Sequence, residues 1–170
     1  RIIGETEREG VPFRRALPAA PREGQTMRAG FAHTTARIAC EAAAQTQARI
    51  IACFTESGRT ARLVAKYRPH APIIAFCSND QTRRRLALNW GVRTDDLDVA
   101  GEVAVMEKRV EERLIGHGLV REGDSLVIIF GAPVGERGHT NSMRLHVVGS
   151  APGATRDMPL PPELAKLDAS

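Results

Sequence analysis

Aromatic residues are scarce, at 4% of the 170-residue chain with one Trp and one Tyr, so stacking platforms for single-stranded nucleic acid are nearly absent. No apolar run approaches the roughly 18 residues that cross a bilayer. No charged and then apolar segment leading to a small-residue cleavage site opens the chain. The expectation is a soluble, cytoplasmic protein with no membrane partner. Cys40, Cys53 and Cys77 are odd in number and widely spaced, with neither a CxxC pair nor a nearby His to complete a ligand set. Buried free thiols in a reducing compartment fit better than disulfides or a metal site. The spaced GxxxxGK[ST] and the GxGxxG of nucleotide binders are both missing, and no Ser-His-Asp or Cys-His arrangement can be argued. An initiator Met is missing too: the chain opens on Arg1 and is expected to be a piece of something longer.

What is present is ordinary for one globular domain. Hydrophobic residues make up 42% and charged residues 26%, enough for a conventional core. Lys and Arg number 24 against 20 Asp and Glu, a net charge of +4 that suits small anions but falls short of a nucleic-acid-binding stripe. Residues 1–10 read as the last turns of a preceding helix, and 11–25, with Pro12, Pro18 and Pro21, as a linker. From Thr26 to about Gln47, small apolar residues at helical spacing predict a helix with Thr26 as a cap.

Strand and helix signals then alternate. RIIACF (49–54) and PIIAFC (72–77) are nearly continuous apolar runs, as in strands buried on both faces. Helical spacing covers 57–67, ended by Pro69, and 80–90, with Asn79 as cap and Gly91 as stop. A short third strand is expected within 92–98, a long amphipathic helix over 101–118, and a fourth strand over 125–130. RLHVV (144–148) predicts a fifth strand. Its connection to the fourth has no room for a helix, so it pairs antiparallel at an edge. The pattern implies a three-layer α/β/α sandwich around a five-stranded, mostly parallel sheet, with binding loops at the carboxyl ends of the strands. The proline-rich stretch 151–170 is expected to be a flexible tail.

Thr55-Glu56-Ser57-Gly58-Arg59-Thr60 follows a buried strand and opens a helix. Two readings stay open from the residues alone. In one, free helix-start amides, hydroxyls and a close-approach glycine cradle a phosphate, and Arg59 adds a charge-assisted contact. In the other, Thr55 or Ser57 caps the helix and Arg59 faces water. The loop after the fourth strand holds Pro133, Gly135, Arg137, Gly138, His139, Thr140 and Asn141. It is either a plain hairpin connection or a loop that meets an anion over the strand ends, next to the turn if the fourth strand lies beside the first. His33, His70, His117 and His146 have no ligand-spaced partners and are assigned to surface or packing. Asp95, Asp96 and Asp98 read as solvated turn chemistry or a cation site. Arg83, Arg84 and Arg85 read as an exposed helix face with one stem packed along it.

The segments ARIIACFTESGRTARLVAKYRPHAPIIAFCSND, LALNWGV and GLVREGDSLVIIFGAPVGERGHTNSMRLHVVG closely resemble the C-terminal domain of pyruvate kinase over roughly residues 26–149. Residues 1–10 resemble the last helix of that enzyme's catalytic barrel. The resemblance implies a five-stranded sheet between helices with one antiparallel edge strand. It also implies a parent enzyme that transfers phosphoryl from phosphoenolpyruvate to ADP, with Mg²⁺ and usually K⁺, in a tetramer. The catalytic residues of that parent lie in the barrel, so no catalytic, metal or cofactor residue is expected in these 170 residues, and the chain alone is expected to be inactive. What carries over is an effector site: a phosphate held by residues 55–60 and a loop, Pro133 to Thr140, that closes over it. Bisphosphate-regulated members have a Trp and an Arg after the third strand, where this chain has TDDLDVAGEVAVMEKRV, with Met106 near the Arg position and Lys108 and Arg109 as substitutes. A monophosphate effector, a bisphosphate, or lost regulation all fit that departure. The alternative function is a free-standing small-ligand module derived from the same domain.

Overall fold

In the run IIACF every residue is buried, and so is every residue of IIAF, which requires cover on both faces of the sheet. The computed structural model describes residues 27–97, 103–132 and 140–150 and supplies that cover. The elements in chain order are α1 (Met27–Gln45), β1 (Ile50–Phe54), α2 (Arg59–Lys66), β2 (Ile73–Phe76), α3 (Asp80–Leu86), β3 (Val92–Asp95), α4 (Val103–Gly116), β4 (Ser125–Phe130) and β5 (Ser142–Val147). The five strands form one sheet in the order β3-β2-β1-β4-β5, parallel except for the antiparallel β4-β5 edge. This is the expected three-layer α/β/α sandwich.

Alternation along each strand sends side chains to two cores. Ile51, Cys53, Ile73, Ala75, Val127 and Ile129 face α1 and α2, meeting Ala36, Ala39, Ala43, Ala61 and Val64, and Leu86 of α3. Alanines there let α1 lie close on the sheet. Ile50, Ala52, Phe54, Ile74, Phe76 and Ile128 face the other way, onto Met106, Val110 and Leu114 of α4. Phe54 and Phe76 stack with centroids 5.4 Å apart. The thiols fall where packing puts them: Cys53 and Cys77 are buried and Cys40 is partly buried, all three free. Burial pushes the Cys40 thiol up to about 12, so it has little thiolate character.

One helix is shorter than its pattern. The run 80–90 was expected to be helical throughout, but α3 stops at Leu86. Asn89 is the cause: its backbone N–H donates to the Leu86 carbonyl at 2.9 Å and its Nδ2 to the Arg85 carbonyl at 3.2 Å, which closes the last turn. Gly91, at φ +67°, then turns the chain into β3. The start of the helix is as expected, with Asn79 Oδ1 accepting from the Thr82 N–H at 2.9 Å. The expected helix end 1–10, the linker, the Thr26 cap, Asp98 and the tail 151–170 lie outside the described residues.

Candidate functional site

Because β4 lies beside β1, the turn after β1 and the loop after β4 leave the sheet side by side. α2 opens on Gly58 as its N-cap residue, at φ +77° and ψ 0°, with no side-chain cap hydrogen bond. Capping of this helix by Thr55 or Ser57 is therefore overturned: a left-handed glycine occupies the cap, and neither hydroxyl takes the first-turn amides. Glycine is required here by space as well as by φ. A Cβ would sit 3.1 Å from Leu86 Cδ2 and 3.2 Å from Thr82 Cγ2.

The turn is held from α3. The Thr82 hydroxyl donates to the Glu56 carbonyl at 3.0 Å, and the Cys77 thiol lies 3.6 Å from the same oxygen. The Thr55 N–H donates to the Phe76 carbonyl at 3.1 Å. With its carbonyl so engaged, Glu56 anchors the turn, while Ser57 and Arg59 stay exposed. Arg59 has no ion-pair partner among the described residues. Its field is felt by His33 on α1, whose pKa is lowered first by burial and then by Lys66 and Arg59.

Thr60 and Thr140, residues singled out from opposite ends of the sequence, meet directly. Their buried hydroxyls are 2.7 Å apart and tie the start of α2 to the residue that re-enters β5. The Asn141 side chain is engaged with the backbone across the loop. Its Oδ1 accepts from the Ala132 N–H at 2.7 Å and its Nδ2 donates to the Ala132 carbonyl at 2.8 Å, clamping the base of the loop. Pro133, Gly135, Arg137, Gly138 and His139 lie outside the described residues.

The acidic pair at the end of β3 is also committed to partners. Asp95 meets Arg113 at 3.2 Å and His117 at 3.3 Å, and Asp96 meets Arg83 at 3.0 Å. Arg83 is thus the packed member of its run, also donating to the Cys77 carbonyl at 2.9 Å. Among the described residues no group of three or more His, Cys, Asp or Glu side chains is placed to hold a metal. No described helix is long and apolar enough to cross a membrane.

A second polar cluster escaped the residue-by-residue reading. Glu107 and Glu111, one turn apart on α4, face Arg144 and His146, two apart on β5. Glu107 Oε1 is 2.6 Å from Arg144 Nε, and Glu111 Oε2 is 2.7 Å from His146 Nε2. The matching spacing, i and i+4 on a helix against i and i+2 on a strand, was visible in the sequence, but nothing local said that the two elements meet.

A doubly covered, mostly parallel five-stranded sheet with one antiparallel edge defines a three-layer α/β domain, with the turn after β1 and the loop after β4 at its carboxyl end. Comparison with known proteins gives the family. The family model of the pyruvate kinase alpha/beta domain matches residues 33–146, and the chain belongs to that family. A pyruvate kinase of Geobacillus stearothermophilus is 48% identical over 94 residues, 55% of this chain and 16% of the relative. One of Sporosarcina psychrophila is 33% identical over 152 residues, 86% of this chain and 25% of the relative. A crystal structure of a pyruvate kinase from Cryptosporidium parvum superposes with a TM-score of 0.62 at 28% identity, covering 69% of this chain and 23% of that one. The chain therefore spans a quarter or less of the length of these relatives.

Proposed function

We propose that this chain serves as the regulatory and assembly domain of a pyruvate kinase, and that a phosphorylated small molecule binds at residues 55–60 under the loop that ends at Thr140. The observation that carries the reading is the start of α2. Its first amides have no side-chain cap, Arg59 beside them has no ion-pair partner among the described residues, and the Thr60–Thr140 contact brings the residue just before β5 to the same place. An anion there satisfies several backbone donors at once and gains from the helix dipole. Calorimetric titration of the 170-residue chain with sugar phosphates, a sugar bisphosphate and nucleoside monophosphates tests this. Binding by at least one supports the reading, and silence from all of them ends it.

In this reading phosphoryl transfer from phosphoenolpyruvate to ADP belongs to a barrel outside these residues, and Mg²⁺ and K⁺ belong with it. Such transfer depends on metal ions bridging the phosphates and on positioned cations. The described residues offer no cluster of ligands for such a metal. The chain alone is expected to show no phosphotransfer in a coupled assay with phosphoenolpyruvate, ADP, Mg²⁺ and K⁺. Turnover that survives repurification, even at a thousandth of a typical kinase rate, sinks the assignment.

The assembly role rests on β5. It pairs on one side only among the described residues, and Leu145 on it is 51% exposed. An edge strand with an exposed apolar residue favours pairing with another strand, here from a second copy. Sedimentation is expected to show a dimer fraction that rises with concentration and is reduced by Leu145→Lys. A strictly monomeric chain at high concentration contradicts the role.

A further inference from the structure

At the other end of the sheet, where β2 and β3 begin, an open pocket of about 370 Å³ is lined by Pro69, His70, Pro72, Trp90, Val92 and Arg93. Its volume falls at the small end of the usual range for ligand pockets, roughly 300–1,000 Å³. Arg68 stands over the Trp90 ring, 5.6 Å from its centroid. No carboxylate lines the pocket, and Arg68, His70 and Arg93 make no ion pair among the described residues. Arg37, Arg83, Arg113, Arg121 and Arg144 meet acids, while Arg49, Arg59, Arg62, Arg84 and Arg85 share with these residues the lack of an ion pair among the described residues; what distinguishes the pocket is that its basic groups stand beside an indole and apolar walls.

We propose that this pocket is a second binding site, for a small anion carried on a flat apolar body, such as an aryl or heteroaryl phosphate. Its position over the indole steadies the Arg68 guanidinium at the edge of the pocket, so less freedom is lost when an anion arrives. Arg93 adds a charge-assisted contact from β3. The apolar sides of Pro69, Pro72 and Val92 accept the body of the ligand. At Gly91 a Cβ would meet nothing within 4 Å, so a ligand can lie against the backbone there. A cation is excluded by the lack of any lining carboxylate, and a neutral ligand leaves the unpaired guanidiniums unused.

Trp90 is the one tryptophan of the sequence, so its emission reports on this pocket alone. Phenyl phosphate, titrated into the 170-residue chain at low ionic strength, is expected to change that emission saturably. Inorganic phosphate should act more weakly and benzyl alcohol not at all. Arg93→Ala should weaken the phenyl phosphate response at least about tenfold, the size expected for one hydrogen bond to a charged group. Arg59→Ala at the other end of the sheet should leave it unchanged, which separates this site from the one proposed above. Arg93 is exposed, and Arg93→Gln provides a second variant if Arg93→Ala fails to fold. The inference is overturned by the absence of a saturable change, by a change that survives both Arg93 variants, or by one that Arg59→Ala removes.

Discussion

Arg144→Ala is expected to lower the unfolding free energy by about 3 kcal/mol, the lower end of the range for removing one partner of a buried ion pair. Glu107, on α4, is 1% exposed, with Arg144 as its countercharge. Their 2.6 Å approach is an ion-pair contact, and neither carboxylate oxygen has a hydrogen bond of good geometry. Removing the guanidinium strands a carboxylate that water cannot reach. The lower end of the range applies because Arg144 is itself 37% exposed, and that exposure weakens the pair. The double variant Glu107→Leu, Arg144→Leu removes the charge and its partner together and is expected to recover most of the loss. Urea denaturation of the three proteins checks this. A single variant that costs less than about 1 kcal/mol would mean that Glu107 is not held by Arg144.

At the opposite pole of chemistry, Arg59→Ala is expected to weaken effector binding by about ten- to a hundredfold, roughly 1.5 to 3 kcal/mol for a hydrogen bond to a charged group. Ser57→Ala should cost less, since a neutral hydroxyl contributes less than a guanidinium. Both side chains are exposed, so neither change should disturb the fold. His33 gives an independent readout. Its pKa is held down partly by the positive charge of Arg59, and a bound phosphate dianion cancels part of that field. Binding is therefore expected to raise the His33 pKa, observable by NMR titration of the imidazole. In the free protein the lowered value has a stability consequence. The unfolded chain binds the proton more readily, so the stability that His33 contributes is complete above its ordinary pKa and is lost as pH falls through the folded value. If affinity does not respond to Arg59→Ala and the His33 titration does not respond to added ligand, the start of α2 binds no phosphate.

The sheet could be read from residues because its causes are local. IIACF and IIAF are apolar on both faces, and only strands covered twice tolerate that. The antiparallel edge followed from loop length, since the β4-β5 connection is too short for a crossover helix. The end of α3 was misjudged because an apolar pattern cannot report that Asn89 bonds back to Leu86. The residues left two readings open at the start of α2, because hydroxyls near a helix start suit a cap as well as an anion; Gly58 takes the cap position in the left-handed conformation, a backbone choice that no pattern of side chains reports. The pairings Thr60 with Thr140 and Glu107 with Arg144 are contacts across 80 and 37 positions, set by which strands become neighbours. No window of sequence contains both partners.

The clamp between Asn141 and Ala132 separates two kinds of selection. By fixing both ends of the interval 133–139, it makes the closure entropy of that interval depend on its length only logarithmically, about 0.6 kcal/mol for each doubling. Insertions, deletions and replacements between the clamp residues are thus expected to leave the β4-β5 register fixed, so this stretch of sequence can vary while the sheet edge it joins does not.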